Sequence, residues 1–188
     1  MAGIFNDQWN VYTAEHDVST FGAQLMIIPV KNWTVYLNVA SGPTSGTEFD
    51  LTTNYQITSA FKLGLNAATF SPAHYSFGGT YGFAGVALYP QIAVSKAVTL
   101  GLREEYFKTK SQSDATLWSS ATPPAAPMPG GSVLGSTFSV NIKAGHFTLI
   151  PEIRYDDMNN IGHTVFTDSD GTPTTSATQF LLAAVYAF

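Results

Sequence analysis

The stretch Phe147-Thr148-Leu149-Ile150-Pro151-Glu152-Ile153-Arg154-Tyr155-Asp156 alternates residue by residue. Phe147, Leu149, Pro151, Ile153 and Tyr155 fall on one side; Thr148, Ile150, Glu152, Arg154 and Asp156 fall on the other. Successive strand side chains point to opposite faces, so a period of two predicts a β-strand with its charge on one face. An amphipathic helix would need apolar residues at i, i+3 and i+4, and no segment of the chain carries such a stripe.

The same pattern runs outward in both directions. Leu134, Phe138, Val140 and Ile142 oppose Thr137, Ser139, Asn141 and Lys143. Phe61, Leu63, Leu65 and Ala67 oppose Lys62, Gly64 and Asn66, and Phe49, Leu51, Tyr55 and Ile57 oppose Asp50, Thr52, Asn54 and Gln56. Trp33, Val35, Leu37 and Val39 oppose Thr34, Tyr36 and Asn38. Weaker alternation covers Phe21 to Val30, Phe83 to Val94, Val98 to Lys108 and Gln179 to Phe188, and the least regular is Gly3 to Tyr12. The sum is about ten strands of about 8–12 residues, the length of a tilted membrane strand. Strict alternation puts one carboxylate, Glu104, on the apolar face; a bulge near Arg103, a place at the outer rim or a subunit contact would each accommodate it.

The connections take turns in length. Short ones are expected at Val30–Asn32, Thr58–Ala60, Ser95–Ala97 and Ala144–His146. Long ones are expected at Ser41 to Thr47, Ser71 to Gly82, Thr109 to Gly131 and Asp157 to Ser176. Pro123, Pro124, Pro127 and Pro129 lead into Gly130 and Gly131 and read as a loop, because proline cannot donate to a ladder. One hairpin is written twice: TTNYQITSAFKLGLNAATF is echoed by GVALYPQIAVSKAVTLGLREEYF. Length and the absence of a break predict a single domain over residues 1–188.

Composition then separates lipid from water. The chain is 45% hydrophobic and 13% aromatic but only 11% charged, against roughly 25% charged in soluble domains. Net charge is −5, and no basic stripe offers to hold phosphates, so nucleic acid is not an expected partner. The longest apolar run, Phe180 to Phe188, is under half of the roughly 20 residues a spanning helix needs. The polar strand faces carry Thr, Ser, Asn, Gln, Gly and Tyr instead of many Lys and Glu. That suits a hydrated lumen, which has no need to confer solubility. The expected fold is an all-β, antiparallel, up-and-down transmembrane β-barrel with short periplasmic turns and long extracellular loops. Trp33, Phe61, Phe147, Tyr186 and Phe188, at strand ends beside short turns, are the expected membrane-interface aromatics. No signal peptide is legible at the start, and cysteine is absent, so neither disulfides nor thiolate chemistry enter.

Most of the chain resembles the outer-membrane β-barrel porin (OmpL-like) family. The resemblance is carried by TFGAQLMIIPVKNWTVYLNVASG, YQITSAFKLGLNAA, GVALYPQIAVSKAVTLGLREEYF, LIPEIRYD and the ending TQFLLAAVYAF. That ending is similar to the C-terminal signal read by barrel-insertion machinery, with Phe188 last and Tyr186 two before it. Members are generally longer, which implies either the C-terminal portion of a larger barrel or a short member. The resemblance implies a pore in the bacterial outer membrane and brings no catalytic residue.

The chemistry in the sequence is sparse. His16, His74, His146 and His163 are scattered through loops and turns without zinc-site spacing. Asp168-Ser169-Asp170-Gly171 lacks the distant Glu of a calcium loop and reads as an Asp-Gly turn. GSVLG lacks the spacing of a nucleophile elbow. No catalytic residue, metal or cofactor is expected. The expected pore-lining residues are Asp50, Lys62, Arg103, Glu105, Lys143, Glu152, Arg154 and Asp156, with Arg103, Glu105, Glu152 and Arg154 as a charged ladder. Either they set the field of an open channel or they plug a narrow one. A channel for ions and small polar solutes is the leading expectation. A plugged structural or adhesive barrel is the alternative, with contact surfaces at Phe77–Tyr81 and Pro123–Pro129. An outer-membrane enzyme using His163, Asp168, Asp157 and His16 is the remaining one. Expected partners are membrane lipid and the insertion machinery at the C-terminal strand; a homo-oligomer or pairing with other barrel strands is also open.

Overall fold

The computed structural model describes residues 1–6, 20–43, 45–72, 82–109, 131–159 and 166–188. The described residues hold twelve strands and no helix. They are β1 (Ala2–Phe5), β2 (Thr20–Ile27), β3 (Trp33–Gly42), β4 (Gly46–Gln56), β5 (Phe61–Ser71), β6 (Phe83–Ala93), β7 (Val98–Thr109), β8 (Ser132–Ala144), β9 (Phe147–Asn159), β10 (Phe166–Thr167), β11 (Pro173–Thr174) and β12 (Ser176–Tyr186). Ten of them form one antiparallel meander in the order β1 to β9 and then β12. β10 and β11 make a separate two-stranded hairpin inside the β9–β12 connection. β1 and β12 are the two edges of the large sheet.

Two of the short hairpins, β4–β5 and β6–β7, close by a shared device. Thr58 Oγ1 accepts from the Phe61 amide at 3.0 Å, and Ser95 Oγ accepts from the Val98 amide at 3.0 Å. The backbone bonds match too: Ile57 and Thr58 donate to the Phe61 carbonyl, as Val94 and Ser95 donate to that of Val98. This is the physical content of the duplicated hairpin in the sequence. A hydroxyl bonding locally to the backbone holds the turn, and the turn fixes the register of the strands it joins.

Three elements differ from the sequence reading, the first being the β10–β11 hairpin inside the connection expected at Asp157 to Ser176. The connection expected to be long at Ser41 to Thr47 is short: β3 runs to Gly42 and β4 starts at Gly46. Ser41 and Thr47 are cross-strand partners whose hydroxyls bond at 2.7 Å. Small hydroxyl residues that read as loop therefore extend the ladder, and Gly46 makes the reversal at φ 79°, where a Cβ would be strained. The first strand is also shorter than Gly3 to Tyr12. It spans Ala2–Phe5 and pairs with Thr20–Ala23; residues 7–12 lie outside those described.

Register fixes the faces. Ile27, the last residue of β2, pairs with Val35, and the pairing continues through Thr53, Leu65, Leu88, Glu104, Ser136 and Tyr155 to Thr178. Thr178 is near the start of β12, far from its end at Tyr186 at the short-turn side. A hydrogen-bonded row that drifts steadily along the strands is the stagger of tilted strands. All residues of this row share one face, which is mostly apolar but carries Thr53, Glu104, Ser136 and Thr178 in this row. That face is exposed at Leu25, Leu37, Phe49, Val86, Leu102, Leu134, Phe138, Ile153 and Phe180. The only hydrophobic side chains buried among the described residues are Phe70, Ala87 and Met158.

Candidate functional site: the polar face of the sheet

The opposite face carries two connected polar groups. The first is an amide ladder across β2 to β5. Gln24 Nε2 donates to Asn38 Oδ1 at 2.8 Å, and Asn38 Nδ2 donates to Asp50 Oδ1 at 2.6 Å. Asn66 Nδ2 donates to the other oxygen, Asp50 Oδ2, at 2.5 Å, while Thr52 Oγ1 reaches Oδ1 at 3.2 Å. The Asp50 carboxylate thus takes charge-assisted bonds from both neighbouring strands, the stronger class of hydrogen bond. Asn38 sits directly opposite both Gln24 and Asp50, so the sheet register itself makes the ladder.

The second group is ionic and lies across β7 to β9. Arg103 pairs with Glu105, two residues on and therefore on the same face. Arg154 does the same with Asp156: Nε lies 2.8 Å from Oδ2 and Nη2 lies 2.7 Å from Oδ1. This two-point pairing uses the planar guanidinium as a fork. Arg154 Nη1 also lies 3.6 Å from Glu105 Oε2, so the two pairs are one cluster of two positive and two negative charges. Arg103 further stands 5.8 Å from the ring centre of Tyr89, within the range of cation–π attraction.

β7 and β9 are separated by β8, about 10 Å apart at twice the usual strand spacing. Arg154 bridges that gap because Gly135 stands between Glu105 and Asp156 in the register. A Cβ there would come 2.8 Å from Asp156 Oδ1 and 2.9 Å from Arg154 Nη2. Gly135→Ala is expected to displace the guanidinium from Asp156 and to destabilise the fold by about 1–3 kcal/mol, the usual cost of overpacking. A urea midpoint unchanged from wild type would contradict this.

All eight residues expected on the polar face share it by register. Gln56 faces Lys62, Lys143 faces Thr148, and Ser139 faces Glu152. The expected ladder of Arg103, Glu105, Glu152 and Arg154 needs one correction. Asp156, not Glu152, is the carboxylate bound by Arg154. Both carboxylates are two residues from Arg154, and the alternation pattern treats them alike. Gly135 opens room on the Asp156 side only, and that becomes visible only with the register of β8 against β9. Sequence reasoning also missed Gln24, Asn38 and Asn66 as one network. Their signal was a lone acidic residue flanked by polar amides on the same strand faces.

Glu104 stands on the apolar face, and the pairing of β7 with β8 is continuous from Val98↔Ile142 to Lys108↔Ser132, so no bulge turns it away. Ser136, directly opposite, donates to Glu104 Oε2 at 2.7 Å. The next residue in that row is the half-exposed Tyr155. A small polar patch thus surrounds this carboxylate, and a second one, Asp157, stands on the same face opposite Leu134 near the far end of β9.

The aromatics expected at the membrane interface collect at one end of the sheet. Trp33, Phe61, Phe147 and Tyr186 lie at the short-turn ends of β3, β5, β9 and β12, and Phe188 follows β12. Trp33 packs against Tyr55 with ring centres 5.5 Å apart and donates from Nε1 to Thr53 Oγ1 at 2.8 Å. His146, in the β8–β9 turn, has its ring centre 6.1 Å from that of Tyr186. Asp168 closes the β10–β11 turn by accepting from the amides of Asp170 at 3.0 Å and Thr172 at 2.8 Å. His16, His74 and His163, the Phe77–Tyr81 loop and the Pro123–Pro129 loop lie outside the described residues. GSVLG enters strand β8 at Ser132. Among the described residues no three His, Cys, Asp or Glu side chains converge as metal ligands would.

The described strands form a ten-stranded antiparallel meander with one mostly apolar face and a hydrogen-bonded, ion-paired reverse face. The chain belongs to the family described as "Putative beta-barrel porin-2, OmpL-like", whose model matches residues 1–188. No curated protein matches the chain, and no solved structure does.

Proposed function

We propose that the sheet closes into a single up-and-down barrel domain in the bacterial outer membrane and conducts ions and small polar solutes passively through its polar interior. The observation that carries this reading is the inversion of faces. Most of the exposed large apolar side chains line one face, with Met26, Leu181 and Val185 on the reverse, while the buried hydrophobic residues among those described are few, and a water-soluble fold would bury that face in its core. Lipid is the solvent that makes the arrangement stable. The stagger along the row from Ile27 to Thr178 supports closure, because strand tilt is what brings the two edges of a sheet together.

The lumen reading favours an open channel over a plugged one. Among the described residues each ion pair joins neighbours on one strand or strands two apart, so the charges bond along their own wall. Family membership supports a non-enzymatic role. In this reading the apolar face meets membrane lipid, β12 engages the insertion machinery, and the Lys62, Lys143 and Glu152 side chains face the lumen with the ladder and the ionic cluster. The expected result is stepwise conductance in planar bilayers and swelling of proteoliposomes by small sugars. Folded, heat-modifiable protein that gives neither would move the assignment to a structural barrel.

A further inference from the structure

The charges are sorted along the strands. Each of the four short hairpins carries one lysine: Lys31 before β3, Lys62 at the start of β5, Lys96 before β7, and Lys143 at the end of β8. No Asp or Glu occurs from Ile27 to Val35, from Tyr55 to Gly64, from Ala93 to Leu100, or from Ile142 to Leu149. None of the four lysines has an ion-pair partner among the described residues. Toward the other end lie Glu48, Asp50, Asp157, Asp168 and Asp170, with Lys108; Glu152 stands in the short-turn half of β9, and Glu105 and Asp156 are neutralised by the two arginines.

Successive short hairpins are two strands apart, so the lysines recur about every 10 Å along this end of the sheet. That spacing is comparable to the Debye length of roughly 8 Å at physiological ionic strength, so their fields overlap. Lys62 and Lys143 lie on the polar face with Asp50 and Arg103, opposite Phe61, Ile142 and Phe147. They therefore point away from the surface assigned to lipid.

We propose that the short-turn mouth is a binding site for small soluble phosphate-class anions, held by Lys62 and Lys143 and gathered by Lys31 and Lys96. The ammonium groups are point donors that converge on phosphate oxygens without demanding one geometry. The site rests on the barrel reading, because Lys62 and Lys143 stand three strands apart and only the curvature of a closed sheet turns both toward one anion. A channel with lysines at one mouth and carboxylates at the other takes up polyvalent anions from the lysine side only.

The test uses the folded full chain in an uncharged detergent, titrated with pyrophosphate at low salt. Saturable binding is expected, lost as ionic strength rises. Lys62→Gln with Lys143→Gln is expected to weaken it at least tenfold, and Lys31→Gln with Lys96→Gln by a smaller factor. Absence of binding to the wild type overturns the proposal. So does binding that survives K62Q/K143Q. Vesicles of phosphatidylglycerol, compared with phosphatidylcholine, distinguish the lipid source: preference for the anionic vesicles that is lost in K31Q/K96Q, without pyrophosphate binding, assigns the lysines to headgroups and overturns the soluble-anion site. In planar bilayers, pyrophosphate on the short-turn side is expected to block current, with the opposite side inert. Conductance without this sidedness counts against the inference while leaving the pore intact; lack of conductance counts against the pore, and the detergent titration still decides the site.

Discussion

Leu51→Arg is expected to stop the chain from folding into micelles or lipid, while Thr52→Arg, one residue along, is expected to fold normally. Leu51 lies between Leu37 and Ala67 on the apolar face. An arginine near the bilayer midplane of a barrel costs about 2–4 kcal/mol, a large share of a total stability of about 5–15 kcal/mol. Thr52 lies on the reverse face, where its hydroxyl already bonds Asp50 and accepts from Asn66. A cation there gains a carboxylate neighbour and stays hydrated. Heat-modifiable gel mobility reads both variants. The same outcome for the two would mean that the faces are not partitioned between lipid and water. The comparison is stronger than either variant alone because both add the same charge to the same strand.

Arg154→Ala is expected to lower stability by about 2–3 kcal/mol, less than the 3–5 kcal/mol of a fully buried pair because the polar face is hydrated. The loss has two sources. Asp156, whose side chain is 8% exposed, loses its two-point partner, and Glu105 loses the bridge across Gly135. Arg154→Ala with Asp156→Ala is expected to recover a large part of the loss, because the uncompensated carboxylate goes with its partner. Urea unfolding midpoints of the two single variants and the double variant measure the coupling. Additive effects would show that the pair stands side by side without interacting. The same substitution leaves the polar wall with an unpaired negative cluster, and reversal potentials in a salt gradient are expected to shift toward cations.

The strands were legible because alternation is a local property. Faces such as Phe147, Leu149, Pro151, Ile153 and Tyr155 follow from the pleat whatever the strand pairs with. Where a segment holds only small hydroxyl residues and glycine, as at Ser41 and Thr47, the local pattern does not tell a ladder from a loop, and the hydroxyl pair between strands decides it. At Glu104 the alternation held against the expectation that charge avoids that face, because Ser136 supplies a bond from the neighbouring strand.

Composition and period by themselves determined an all-β chain with one apolar and one polar face, and the membership of Asp50, Arg103, Glu105, Arg154 and Asp156 in the polar face. They did so because each depends on the spacing of residues along one strand. Tertiary structure alone decided that Asp156 holds Arg154, that Gln24, Asn38, Asp50 and Asn66 form one ladder, and that the strands are staggered. Those depend on the register between strands. Register is set by turn geometry and by the room that a residue such as Gly135 leaves, and neither is written in the period of any single strand.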